Sequence, residues 1–136
     1  MIISARVTNE GGRHHTVVRT GGNEQAVAIA AKAAGSGSSV NGGELLFLAL
    51  ATCYCNDIYR EAAERGIDVQ SIEVEVTGRF GGKGEPAQQI TYRAAMRSTA
   101  SEEEALALMH HTDSVAEIHN TLRQGMPVTM TECRVL

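Results

Sequence analysis

Tryptophan is absent, and the aromatic residues together make up only 4% of the chain. A hydrophobic core must therefore be assembled mainly from Ala, Val, Ile, Leu and Met. Basic residues never form a run, and no aromatic ladder is interleaved with them. With a formal net charge of -4, this excludes nonspecific nucleic-acid binding as the expected function. No apolar run approaches the roughly 20 residues of a membrane span; the longest extends from Leu45 to Ala51. The opening residues MIISARV lack a charged leader followed by an apolar stretch, so no signal peptide is expected. Cysteines are few and odd in number, at three. Their placement does not suggest a disulfide framework, and a reducing, cytoplasmic setting is expected.

What remains is ordinary globular composition, 43% hydrophobic and 21% charged over 136 residues. That length suits one domain spanning residues 1–136, with one modest core. The first third reads as β structure. Ile2 to Val7 and Thr16 to Arg19 are β-prone runs separated by the turn signal Asn9-Glu10-Gly11-Gly12. A second turn at Gly21-Gly22-Asn23 leads to Gln25 to Ala30, which predicts a three-stranded meander. Ala34 to Gly43, rich in Gly and Ser, reads as a loop.

Asn41, with Glu44 three residues on, forms a capping-box pattern and predicts a long helix reaching about Arg65, ended by Gly66. Ile72, Val74 and Val76 alternate with Glu73, Glu75 and Thr77, which predicts a strand within Ile67 to Phe80. A turn follows at Gly81-Gly82-Lys83-Gly84, then a returning strand over Gln89 to Arg97. Ser101 and Glu104 form another capping-box pattern, with Glu102 and Glu103 suited to a positive helix N-terminus. Thr112 and Asp113 predict a new cap within this helical region, which should end near Gly125. A last strand is expected over Val128 to Val135. Strand–strand–strand, helix, two strands, helices, strand is an α+β order with antiparallel sheet.

The segment from Glu44 to Ala63 carries the chemistry. Leu45 to Ala51 is apolar on every side, which predicts a helix buried all round and a subunit partner to bury it. Cys53 and Cys55 are two apart, so on a helix they face different ways and cannot bond to each other without unwinding. Cys55 shares a side with Leu48, Ala51, Ile58, Tyr59 and Ala62, a predicted core stripe. Cys53 follows Leu46, Ala49 and Leu50 and precedes Asn56, Asp57 and Arg60, where an apolar face turns polar. A reactive thiol needs a neighbouring cation to favour the thiolate. Asp57 opposes that and Arg60 is two turns off, so the cation is expected from elsewhere in the chain. The plainer alternative is that each buried cysteine is a small hydrophobe.

The string Glu44-Leu45-Leu46 through Ala51-Thr52-Cys53 resembles the central-helix motif of the OsmC/Ohr family. In that family a Pro-Glu-X-Leu-like stretch leads into Ala-Ala-Cys, and the order of strands and helices also agrees. The resemblance implies an α+β fold with antiparallel sheets packed on a long central helix, as an intertwined homodimer. It implies a stress-response protein that reduces organic hydroperoxides with a thiol at the subunit interface. On that resemblance Cys53 is the peroxidatic cysteine, and Arg13 of Gly11-Gly12-Arg13 is the cation that contacts it.

The family's glutamate partner of that arginine falls at Gly43, one residue before Glu44. A one-residue shift turns a helical side chain by about 100°, so the capping role is the alternative for Glu44. No cysteine stands at His110-His111-Thr112-Asp113, where the family's resolving cysteine lies, so an external thiol reductant is implied. Cys55 and Cys133 are the other thiols available.

Leu46, Phe47 and Leu50 are the candidate pocket for a small organic hydroperoxide or another apolar small molecule. The competing reading is a noncatalytic member that binds such a ligand or senses redox state. His14 or His15, flanking Arg13, is a candidate to line the site. His110, His111 and His119 fit no closed zinc spacing. No metal or cofactor is expected, and neither is a phosphate loop nor a serine nucleophile elbow.

Overall fold

The computed structural model describes residues 1–136 and comprises two compact units, Met1–Leu45 and Leu46–Leu136. The first holds an antiparallel meander of β1 (Ile3–Glu10), β2 (Arg13–Thr20) and β3 (Asn23–Ala26) in the order β1-β2-β3. Glu10 pairs with Arg13, so Gly11-Gly12 alone makes the turn. Both glycines have positive φ, +56° and +76°, the left-handed pair that matches strand twist in a tight hairpin. β3 is shorter than the expected Gln25 to Ala30. The chain leaves the ladder after Val27 N–H donates to the Thr16 carbonyl. It then closes a small excursion through an Ala31–Ser38 bridge.

The long helix α1 spans Gly42–Glu64. Its capping box closes in both directions, with Glu44 N–H donating to Asn41 Oδ1 (2.8 Å) and Asn41 N–H donating to Glu44 Oε1 (3.0 Å). Gly66, at φ +65°, ends it as expected. The second unit adds the hairpin β4 (Val69–Arg79) and β5 (Gln88–Ser98), then α2 (Glu102–Val115) and α3 (Glu117–Gln124). All strand pairing is antiparallel, and three helices accompany the sheets, so the α+β expectation is met.

The core of the second unit is set by two periodicities. Along α1 the buried positions are Leu50, Tyr54, Asp57, Ile58, Glu61 and Ala62, the three- and four-residue spacing of one helix face. Along β4, Ile72 and Val74 alternate with exposed Glu73 and Glu75. They lie opposite Met96 and Ala94 of β5 and pack against the cluster of Tyr54, Ile58, Ala62, Val69 and Leu108. Gly78 lies where the β4–β5 register shifts. A Cβ there would sit 2.6 Å from the Phe47 ring, so the missing side chain is what lets Phe47 lie on the strand.

Three expectations are corrected. Thr112 and Asp113 do not cap a helix: both lie inside α2, where the Thr112 hydroxyl donates back to the Leu108 carbonyl. The break comes at buried Ala116, whose extended backbone separates α2 from α3. Val128 to Val135 forms no strand. It pairs with no edge, and Val128 and Val135 are fully exposed, so its apolar residues lack the cover that would hold a strand. In the single chain Leu48 of α1 is 59% exposed, on the helix for which a subunit partner is expected. The predicted stripe around Cys55 is likewise open at Leu48 and Tyr59, and the buried stripe lies along Leu50, Tyr54, Ile58 and Ala62 instead.

Ile58 is wholly buried at the centre of this core. Ile58→Ala should therefore cost about 2–5 kcal/mol of stability, read as a lower urea midpoint with an unchanged denaturant slope.

Candidate functional site

Cys53 lies on α1, one turn beyond Leu50 and one turn before Asp57, and is half-buried. Its thiol donates to Asp57 Oδ2 at 3.5 Å. The first turn of α3 comes up against it: the thiol, an Asp57 carboxylate oxygen and a Glu117 carboxylate oxygen all lie within 4.8 Å of one another. Ala116 makes this possible by breaking the helical run one residue before Glu117.

Arg60 supplies the countercharge. Its guanidinium lies 3.0 Å from Asp57 Oδ1 and 3.6 Å from Glu117 Oε1, and its Nε donates to Glu61 Oε1 at 3.0 Å. Glu61 in turn meets His111 Nε2 at 2.9 Å, which ties α1 to α2. The Arg60 and His111 contacts hold the Glu61 carboxyl below the usual range. Burial raises the Asp57 carboxyl, and Arg60 only partly offsets this.

The Cys53 thiol is itself pushed up, first by burial and then by the charges and hydrogen bond of Asp57. The backbone of Ile118 acts the other way and favours the thiolate. Ile118 is the second residue of α3, where helix N–H groups are unpaired and the dipole is positive. Within the second unit the thiol thus sits among two carboxylates, one guanidinium and one helix N-terminus.

The family model for OsmC-like proteins matches residues 35–131, which includes all of α1 and the Cys53 cluster. The chain belongs to the OsmC-like family. Among solved structures it is similar to an OsmC-like protein from Mycoplasma pneumoniae, with a TM-score of 0.62 at 19% identity over 91% of this chain and 86% of that one. An OsmC-like hydroperoxide resistance protein from Jannaschia sp. CCS1 gives 0.54 at 16% identity, over 93% and 87%. The organic hydroperoxide resistance protein OhrB of Bacillus subtilis gives 0.52 at 22% identity, over 90% and 92%. At these identities the likeness establishes the OsmC-like fold. No curated protein matches the sequence.

The other predicted site residues of this OsmC-like chain fall in several places. Arg13 is exposed at the start of β2, in the first unit. His15, two residues on, lines the same shallow surface as Arg13, with Thr8 and Glu10. His14 shares a hydrogen bond with Asn9 at 3.1 Å. The Glu44 carboxylate is engaged in the capping box. Phe47 packs toward Phe80, ring centroids 5.8 Å apart, and Leu46 is half-buried. Leu50 alone of the three predicted pocket residues lines the cleft between α1, the β4–β5 hairpin and α3. Cys55 is half-buried and Cys133 exposed, and all three cysteines are free.

Arg60 was passed over by sequence because two helical turns separate it from Cys53. The structure gives it a part through the carboxylates between them. Glu117 and Ile118 were not legible as neighbours of the thiol, since their approach depends on how α3 packs.

This geometry fixes the sign of two substitutions, read in a background with Cys55 and Cys133 replaced by Ser. Asp57→Asn removes the like charge, so iodoacetamide should alkylate Cys53 about three- to tenfold faster at pH 7. Arg60→Gln leaves both carboxylates uncompensated and should slow it by a similar factor.

Proposed function

We propose that this OsmC-like chain reduces organic hydroperoxides through Cys53, using an external thiol as reductant. The observation that carries the reading is the half-buried Cys53 thiol, met by the backbone of Ile118 at the N-terminus of α3, in an OsmC-like chain whose fold neighbours include hydroperoxide resistance proteins. The thiolate attacks the outer oxygen of the peroxide and breaks the O–O bond. This forms a Cys53 sulfenic acid and, after protonation, releases an alcohol. One external thiol then condenses with the sulfenic acid and releases water. A second displaces Cys53 and leaves with the first as a disulfide.

Burial and Asp57 hold the thiol up in the second unit, so turnover at neutral pH needs a further cation. In this proposal Arg13 is that cation, and it also stabilises the charge that develops on the leaving oxygen. The working form is a homodimer, with residues 1–136 acting as one domain in each copy. Its support is the apolar surface left open on the single chain: Leu48 and Tyr59 on α1, Ile3 and Val7 on β1, and Val128 and Met130 in the tail. A reducing, cytoplasmic setting fits a chain with three free thiols. No helix is long and apolar enough to cross a membrane.

The absence of a cysteine over residues 110–113 favours the external reductant over an internal disulfide relay. It also keeps a second reading in play, a noncatalytic OsmC-like protein in which Cys53 is oxidised once as a redox sensor. Turnover separates the two. With cumene hydroperoxide and a dithiol, the parent should turn over, Cys53→Ser should be inactive and Cys55→Ser should remain active. Arg13→Gln should lose about 100-fold. A parent that consumes one equivalent of peroxide and stops would favour the sensor, and a Cys53→Ser protein as active as the parent would remove the assignment. Sedimentation at micromolar concentration should give the mass of a dimer, and a monomer there would sink the dimer proposal.

A further inference from the structure

His119 is the one buried residue of the eight in α3. Ile118 and Leu122 on the same helix are 38% and 41% exposed. Extended backbone at Ala116 parts α3 from α2, and the chain beyond Gly125 forms no helix or strand that would hold its other end. The remaining side-chain ties to other elements are ion pairs of partly exposed groups, Glu117 with Arg60 (3.6 Å) and Arg123 with Asp113 (2.7 Å), and such pairs hold weakly. A single titratable side chain therefore anchors α3 in the core.

That anchor tolerates no charge. Both ring nitrogens are closed to solvent and without a hydrogen-bond partner. Tyr92 of β5 and Tyr54 of α1 stand against the ring, centroids 4.8 and 6.3 Å away, but their hydroxyls are turned elsewhere. Tyr54 donates to the Met109 carbonyl and Tyr92 to Asp113 of α2. An imidazolium there would hold two unanswered donors and a full charge away from water, and the aromatic faces return only part of that cost.

We propose that α3 is an acid-released flap: protonation of His119 expels its imidazole from between Tyr54 and Tyr92 and lifts α3 off α1, with Ala116 as the hinge.

The sign follows from linkage. Burial first, and Arg123 second, hold the His119 imidazole below its ordinary pKa in the closed form, and Asp113 offsets this only in part. The released form binds the proton at higher pH, so acid favours release, increasingly so below about pH 6.5. Release carries Glu117 and Ile118 away from Cys53, which loses both a carboxylate and a helix N-terminus. The flap thus changes the surroundings of the thiol without using its reactivity. An eight-residue helix is unstable alone in water, so lifting α3 also opens its amides to exchange.

The test is amide hydrogen exchange of the full-length protein, with protection factors corrected for the intrinsic pH dependence of exchange. Between about pH 7.5 and 5.5, protection of the Asn120 and Leu122 amides should fall about three- to tenfold, while that of Ile58 in α1 holds. His119→Phe keeps a ring in the pocket and His119→Leu an apolar anchor, and either should abolish the fall. His111→Gln and Asp57→Asn remove an imidazole and a carboxylate from the neighbouring network and should keep it. Cys53→Ser should keep it too, so a failed peroxidase reading would leave this result intact. Equal protection of α3 at both pH values in the parent, an undiminished fall in both His119 variants, or a loss shared equally by Ile58 would each overturn the proposal.

Discussion

The seating of Ile58 and Tyr54 of α1 against Leu108 of α2 and the inner face of β4–β5 is the contact on which the chemistry of the second unit depends. Ile58 and Leu108 are wholly buried, and the Tyr54 hydroxyl donates to the Met109 carbonyl at 2.9 Å. That bond spans 55 residues of sequence and pins the helix to α2. Burial, with Asp113 nearby, pushes the Tyr54 phenol up to about 12, so it remains a donor throughout the neutral range. With α1 fixed in this way, the orientations of Cys53, Asp57, Arg60 and Glu61 follow from helical geometry alone.

Much of this was legible in the sequence because it is local. Asn41 and Glu44 announce a helix start through bonds only three residues apart. Gly11-Gly12 announces a hairpin through backbone freedom, and Ile72, Val74 and Val76 announce a strand face through a period of two. The misreadings share a different cause. Thr112 and Asp113 resemble a cap, but their side chains are claimed by Leu108 within the helix and by Tyr92 and Arg123 outside it. Val128 to Val135 has strand composition and no strand partner in the chain. The core stripe predicted around Cys55 is open at Leu48 and Tyr59 in the single polypeptide. Composition records that a surface is apolar without recording which molecule covers it.

The candidate site divides along the same line. Cys53 could be singled out from its place on α1 and from the family motif, since both are contained in one stretch of sequence. Its electrostatic setting could not. Arg60 acts on the thiol through Asp57 and Glu117, and Glu117 arrives only because α3 is packed beside α1. His119 was noticed as a histidine, but its unpartnered nitrogens and its cleft are properties of packing. Distance along the chain is a poor guide where charges act through an intermediate.

The junction at Ala116 has a consequence for how the second unit tolerates change. It is a fully buried alanine with extended backbone, flanked by two helices. The next three residues face three tasks: Glu117 toward Arg60, Ile118 toward sulfur, His119 into the cleft. A bulkier side chain at that joint would pivot α3 as a rigid lever, displacing all three together. Thiol environment and cleft are thereby geared to one hinge, and sequence drift at position 116 retunes both or neither.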